Sequence, residues 1–285
     1  LNALTLAMAA VSTGGFLPFD TGLDEVLGMF GLFIFAVFLL FGATSIFWQS
    51  MLFGGEVRRL GEHRESYSII ALIAVLTFVI FGLIASGTAG DDAYVARALV
   101  EGFLAAASLV ATSGVESRPG IFALLPLVVV LFVVFAGASA FSTSGGIKHY
   151  RLGGMIVQSW GELDKLIYPN AVRSMRFVSE KRDIDLMKAI WSFFLAAILV
   201  IGIGTILVAS SGIEFEAAFT ATLVNFSTAG PVYDSGWAAP DAPDWPEYWQ
   251  FSTLSKWVLM LVMLLGRLEV LVIVGLFSVR YWRNR

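Results

Sequence analysis

Three short runs of hydroxyl-bearing and small residues recur along this chain: Ser12-Thr13-Gly14-Gly15, Ala111-Thr112-Ser113-Gly114 and Ser227-Thr228-Ala229-Gly230. Each follows an apolar stretch of helical character and lies between longer apolar stretches. Glycine adopts φ > 0 at little cost, so Gly15, Gly114 and Gly230 could let successive carbonyls turn toward one axis. Ser and Thr hydroxyls could hydrogen-bond such a loop in place. At mid-membrane, the exposed carbonyl oxygens would replace the hydration shell of a monovalent cation. The helix before each loop would aim its partially negative C-terminal end at the same place, which also favours a cation. One such tetrapeptide is an ordinary turn. Three of them after apolar helices imply an ion pore.

The elements that must position these loops are membrane helices. The chain is 58% hydrophobic and 14% charged, with a mean hydropathy of +0.81, which excludes an ordinary soluble domain. Runs long enough to span a bilayer occupy 28–53, 69–86, 121–140, 189–210 and 254–281. Shorter runs at 1–11, 94–110 and 215–225 suit re-entrant helices. From Gly15 to Gly114 is 99 residues and from Gly114 to Gly230 is 116, too long for a solenoid repeat. The spacing fits a unit of membrane helix, re-entrant helix, loop and membrane helix. The chain opens inside such a re-entrant helix, so it is expected to be the C-terminal part of a longer protein. It has no cysteine, hence no disulfide and no thiolate metal site.

Lys and Arg placement predicts sidedness. Arg58, Arg59, Arg64, Lys148, Arg151, Lys165, Arg173, Arg176, Lys181, Arg182 and Lys188 fall on one set of connections, with Arg280, Arg283 and Arg285 at the end. The other connections carry Asp20, Asp24, Glu25, Asp91, Asp92, Glu214, Glu216, Asp234, Asp241, Asp244 and Glu247. The basic set reads as cytoplasmic, so the loops open outward to an acidic mouth that would concentrate cations. Trp237, Trp245, Tyr248 and Trp249 fit an interfacial aromatic belt.

Two features stand out inside the spans. The run 137–146, with Gly137, Ser139, Phe141, Ser142, Thr143, Gly145 and Gly146, is poor helix material. Non-helical backbone at membrane depth must be buried in protein or line water, so this is either a flexible gate beneath the loops or a kink packed on its neighbours. Arg267 is an ionisable group in mid-span, either a charge barrier below the loops or half of a buried ion pair. Glu269, two residues on, does not share its helix face. Gly145-Gly146-Ile147-Lys148 lacks the spacing of a phosphate-binding loop, and Lys148, His149 and Arg151 read as markers of the cytoplasmic interface. His63 and His149 are the only histidines and no HExxH or GxSxG occurs, so the chain is not expected to be an enzyme.

Taken together, these residues resemble the TrkH branch of the TrkH/KtrB superfamily of potassium transporters. The most specific segments are 135–148, the Tyr168-Pro169-Asn170-Ala171-Val172 run and 263–270. The resemblance implies an all-α polytopic membrane protein of the cytoplasmic membrane. Its repeated units (helix, pore helix, filter loop, inner helix) would surround a pseudo-four-fold ion pore. This chain would supply the second unit in part (1–60), the third (61–160, with a gate loop at 137–146), a cytoplasmic linker (161–186) and the fourth (187–285). The implied function is K⁺ uptake, with Ser12, Thr13, Gly14, Gly15, Ala111, Thr112, Ser113, Gly114, Ser227, Thr228, Ala229 and Gly230 as filter and Arg267 facing the pore. No organic cofactor is expected. The implied partners are a second copy, surrounding lipid and a cytoplasmic nucleotide-binding (RCK-type) regulatory subunit. Phe141 departs from the small residue usual in such a gate loop. A sodium-permeable relative and a non-conducting structural subunit stay open as alternatives.

Overall fold

The apolar runs become helices that start and stop where capping chemistry allows. The computed structural model describes residues 2–18, 22–54, 64–86, 92–167, 184–235 and 245–268, and every regular element among them is helical. In order these are α1 (Asn2–Ser12), α2 (Leu23–Ala43), α3 (Ile46–Phe53), α4 (Arg64–Ala85), α5 (Asp92–Val110), α6 (Leu127–Ala136), α7 (His149–Ile167), α8 (Ile184–Ala209), α9 (Phe215–Phe226) and α10 (Thr253–Arg267). Short 3-10 turns occupy Phe122–Leu124, Gly230–Asp234 and Tyr248–Gln250. The segments Leu23–Ala43, Arg64–Ala85 and Leu186–Ala209 are long and apolar enough to cross a bilayer. Phe30, Phe78 and Ile206 on these helices are exposed, as a lipid-facing surface requires.

The protein's inside is built around α5 and α9, two of the three helices that precede the small-residue loops. α5 lies between α2 and α4, α9 between α8 and α10, and α1 along α2. α5 buries Leu104, Ala105, Leu109 and Val110 completely, and α9 buries Ala217, Ala221, Val224 and Phe226. Small side chains let these helices approach their neighbours closely, which is how helices associate in lipid. The order long helix, buried helix, loop, helix thus occurs as α4–α5–α6 and as α8–α9–α10, and its second half occurs as α1–α2.

Several boundaries differ from those read in the sequence. The run 28–53 is not one helix: Thr44 is extended (φ −83°, ψ 160°) and Ser45 starts α3 as its N-cap, accepting from Phe47 N at 3.3 Å. The Gln49 amide covers the carbonyls freed there, donating to Phe41 O at 2.5 Å and Thr44 O at 3.3 Å. Of the run 121–140, only Leu127–Ala136 is α-helical. Pro126 supplies the N-cap, and Gly137 (φ 64°) ends the helix in a conformation that other residues resist. α7 carries helix to Ile167, inside the segment expected to be a linker, and α8 begins at Ile184, five residues before the expected start of its span. The Arg58–Arg59 hairpin, the 168–172 motif, Trp237, Glu269 and the span beyond residue 268 lie outside the described residues.

Candidate functional site

The ends of α1, α5 and α9 are built alike. Each is closed by the same pair of backbone hydrogen bonds, one reaching back three residues and one reaching back five. They are Thr13 N to Ala10 O (3.3 Å) with Gly14 N to Ala9 O (3.1 Å), Thr112 N to Leu109 O (3.1 Å) with Ser113 N to Ser108 O (2.9 Å), and Thr228 N to Asn225 O (2.9 Å) with Ala229 N to Val224 O (2.8 Å). This is the Schellman cap, whose left-handed residue is usually glycine. Here it is threonine each time, with φ 51° at Thr13, 55° at Thr112 and 58° at Thr228. Glycine follows two residues later, and Gly15 and Gly114 share a φ of 73°. Gly230 does not follow them. It opens a 3-10 turn, and the expectation of φ > 0 there is not met.

The loops also lean on one another. A Cβ on Gly15 would stand 2.0 Å from the Ser113 carbonyl oxygen, and one on Gly114 would stand 3.2 Å from the Ala229 carbonyl oxygen and 3.0 Å from Val232 N. The first loop therefore packs on the carbonyl edge of the second, and the second on that of the third. Thr13, Ala111, Thr112, Ser113, Ser227 and Ala229 are buried in this arc. The hydroxyls of Ser113 and Ser227 have no hydrogen-bond partner among the described residues. With three helix C-termini converging, the donor set is all oxygen and suits a hard monovalent cation as cargo.

The interrupted segment 137–146 lies against all three loops. Thr13 donates its hydroxyl to Thr143 O (3.0 Å), and Thr143 in turn donates to Val11 O (3.0 Å) and Gly42 O (3.3 Å). Gly145 N donates to the Thr112 hydroxyl at 2.7 Å. A Cβ on Gly145 would lie 2.0 Å from Ser227 O and 2.5 Å from the Thr228 hydroxyl. All three left-handed threonines thus face this segment.

Its other end is fastened as well. Ser139 N donates to Ala43 O (3.1 Å), Ile46 N to Phe141 O (3.1 Å) and Ala140 N to Glu65 Oε1 (2.9 Å). Ser142 and Ser144 hydroxyls pair at 2.7 Å, and the exposed Phe141 ring meets Phe47 edge-on at 4.9 Å. The segment is an ordered, hydrogen-bonded loop clamped between the three caps and the α2–α3 break.

Two basic residues belong to this assembly. Lys148 was expected at the interface but is buried (8% exposed), and its ammonium donates to the carbonyls of Ser142 and Ser144, inside the segment. Arg267 sends Nη1 to the Thr228 hydroxyl (3.4 Å) and Nη2 to Ser12 O (3.2 Å), joining the third loop to the end of α1. No carboxylate pairs with it among the described residues. It gets there because Gly266 sits on α9, where a Cβ would be 1.8 Å from Phe226 O.

Three things escaped the sequence reading. The left-handed threonines had no signal, because propensity argues against them. Lys148 inside the segment had none either. Glu101 and Arg97 had one, an i,i+4 pair of opposite charges in an otherwise apolar helix. With Asp24 and Arg118 they form a charged group beside the second loop.

A family model described as TrkH, cation transport protein, matches residues 66–283. The Trk system potassium uptake protein TrkH of Salmonella typhimurium is 26% identical over 287 residues, an alignment covering 99% of this chain and 57% of the relative. TrkH of Vibrio parahaemolyticus is 27% identical over 292 residues with the same coverage. The crystal structure of the potassium transporter TrkH from Vibrio parahaemolyticus superposes with a TM-score of 0.83 at 26% identity, covering 99% of this chain and 59% of that one. The chain spans a little over half the length of the relatives it matches.

Proposed function

Since this chain belongs to the TrkH family of cation transport proteins, we propose that it supplies three of the four pore units of a K⁺ uptake pathway. It is a multi-pass protein of the cytoplasmic membrane. In this reading 1–60 is part of the second unit, 61–160 the third, 161–186 a cytoplasmic linker and 187–285 the fourth. The loops at 12–15, 111–114 and 227–230 form the filter, segment 137–146 the gate, and Arg267 a positive charge beneath the filter.

One observation carries the reading: three identical caps with a threonine in left-handed backbone, packed edge to edge and covered by one intramembrane loop. A K⁺ ion entering from the acidic side sheds its water onto the loop carbonyls, whose energetic match to the ion sets selectivity. The gate closes the inner side, with Gly145 wedged against the second and third loops. Arg267 adds a repulsion that low dielectric strengthens. To conduct, the segment must release Thr13 and Thr112, and Arg267 must leave Thr228. The protein would work as a homodimer, and a nucleotide-binding regulatory subunit that contacts the basic connections at 54–65 and 161–186 would bias that movement.

The test is K⁺ and Na⁺ uptake by the full-length protein in proteoliposomes. Wild type should carry K⁺ in preference to Na⁺. Gly145→Ala, whose Cβ cannot fit beneath Ser227 O, should raise the basal K⁺ flux severalfold. Absence of K⁺ flux from both, in correctly inserted protein, would overturn the reading, and equal Na⁺ flux would favour a sodium-permeable relative.

A further inference from the structure

Beside the second loop, four charges meet across three elements. Glu101, in the middle of α5, has a side chain only 2% exposed, and its carboxylate takes Arg97 Nε at 2.9 Å and Arg118 Nη2 at 3.4 Å. Arg97 also reaches Asp24 in the first turn of α2, Nη2 to Oδ2 at 2.6 Å. A carboxylate buried in an apolar helix is costly unless paired, and here two guanidiniums meet it. The group is neutral overall, so Asp24 adds no free negative charge to the mouth. It also explains two arginines on the side read as acidic, where the positive-inside rule does not expect them.

What the group holds is the outer stem of the second loop. Arg118 lies four residues beyond Gly114, and its neighbour Ser117 accepts from Asp24 N at 3.0 Å. Between them and α6, the Glu116 carboxylate takes Gly120 N (2.9 Å) and Phe122 N (2.8 Å). The second loop touches both others, through Ser113 O and Gly114, while Gly15 of the first also faces Pro231 just after the third. A shift of the second loop is therefore passed to both neighbours. α1, which ends in the first loop, packs along α2, so the Asp24 end of the group fixes one unit against the next.

We infer that Glu101, acting through Arg97 and Arg118, is a positioning residue for ion selectivity, holding the second loop in register with the first. The inference rests on the filter reading above. Sub-ångström shifts of carbonyls change the balance between two cations of the same charge while leaving a permeable path. Loss of the group should therefore alter discrimination more than throughput.

The experiment measures separate K⁺ and Na⁺ uptake by the full-length transporter in proteoliposomes, with thermal unfolding recorded for each variant. Asp24→Asn and Arg118→Gln should each lower the K⁺:Na⁺ uptake ratio roughly fivefold, about 1 kcal/mol of differential binding, with K⁺ flux less affected. The double variant should lose no more than the worse single, because both act through Glu101. Arg118→Lys should retain most of the ratio. Glu101→Gln is expected to behave like Arg118→Gln, and if it fails to insert, the two variants of the more exposed partners decide. An unchanged ratio in folded Asp24→Asn and Arg118→Gln overturns the inference, even if their unfolding temperatures fall. A wild type that carries no K⁺ sinks the filter reading instead, whereas a selective wild type with unaltered variants sinks this one alone.

Discussion

A β-branched side chain in left-handed backbone costs about 1–2 kcal/mol, and this chain bears that cost at Thr13, Thr112 and Thr228 alike. Glycine would relieve the strain but would remove the hydroxyls that meet Thr143, Gly145 and Arg267. Strain kept three times at one place marks function more firmly than the glycines do. The glycines themselves are not equivalent. Gly15 combines φ 73° with a Cβ position 2.0 Å from a carbonyl oxygen, whereas a Cβ on Gly230 finds nothing nearer than Asn225 Oδ1 at 3.8 Å. Gly15→Ala should therefore cut the K⁺:Na⁺ uptake ratio roughly tenfold, about 1.4 kcal/mol, and Gly230→Ala should leave it within about twofold. Uptake measured for both in the full-length protein checks this. Equal losses would mean that loop packing does not set selectivity. Sequence alone singled out all three glycines, since residue type is visible and backbone torsion is not.

Between elements, the decisive contact joins the 137–146 segment to the break between α2 and α3. The first was legible, because glycine and serine interrupt an apolar run there. The second was not, because apolar side chains continue through Thr44-Ser45 and the break is sustained from outside. Gln49 covers the carbonyls, and the segment itself supplies partners to Ala43 O and Ile46 N. The spans were found and their ends mislaid for the same reason: lipid demands apolar length, while termini are set by caps and tertiary hydrogen bonds. Glu65, at the start of α4, accepts from Ala140 N at 2.9 Å and so ties the segment to the adjoining hairpin. Removing that acceptor leaves an amide without a partner in the closed state only, a penalty of about 1 kcal/mol. Glu65→Ala should accordingly raise basal K⁺ flux severalfold without the regulatory subunit, and Glu65→Gln, which keeps an acceptor oxygen, should not. Flux that is unaltered in both would separate the segment's foot from gating.

At the scale of the whole molecule, two acids on the side read as external, the half-buried Glu116 and Asp234 nearer the surface, make stability depend on pH. The Glu116 carboxyl, ordinarily near 4.5, is pushed up to about 7 because burial disfavours its charge more than the amides of Phe122 and Gly120 favour it. Asp234, ordinarily near 3.8, rises to about 6 through burial, helped by the neighbouring Glu247 charge. Both lie outside the membrane-spanning segments, one after the second loop and one after the third. Where a folded-state value exceeds the unfolded one, the folded chain keeps a proton that the unfolded chain has released. Stability from these two groups is therefore greatest toward the lower edge of the window and falls as pH rises through the raised values. That is opposite to the usual surface carboxylate, whose paired and depressed value favours the alkaline side. Glu116 has the higher value and the greater burial, so it should dominate near neutrality. The unfolding temperature of the full-length protein should fall as pH is raised from about 5 to about 7, between the ordinary and the raised value of Glu116. Glu116→Gln, which cannot ionise and keeps an oxygen acceptor for only one of Gly120 and Phe122, should lower the unfolding temperature throughout but flatten most of that slope, and Asp234→Asn should flatten only its acidic end. A wild-type curve that rises with pH over this range would show that Glu116 is already ionised in the folded protein, with the two amides outweighing its burial.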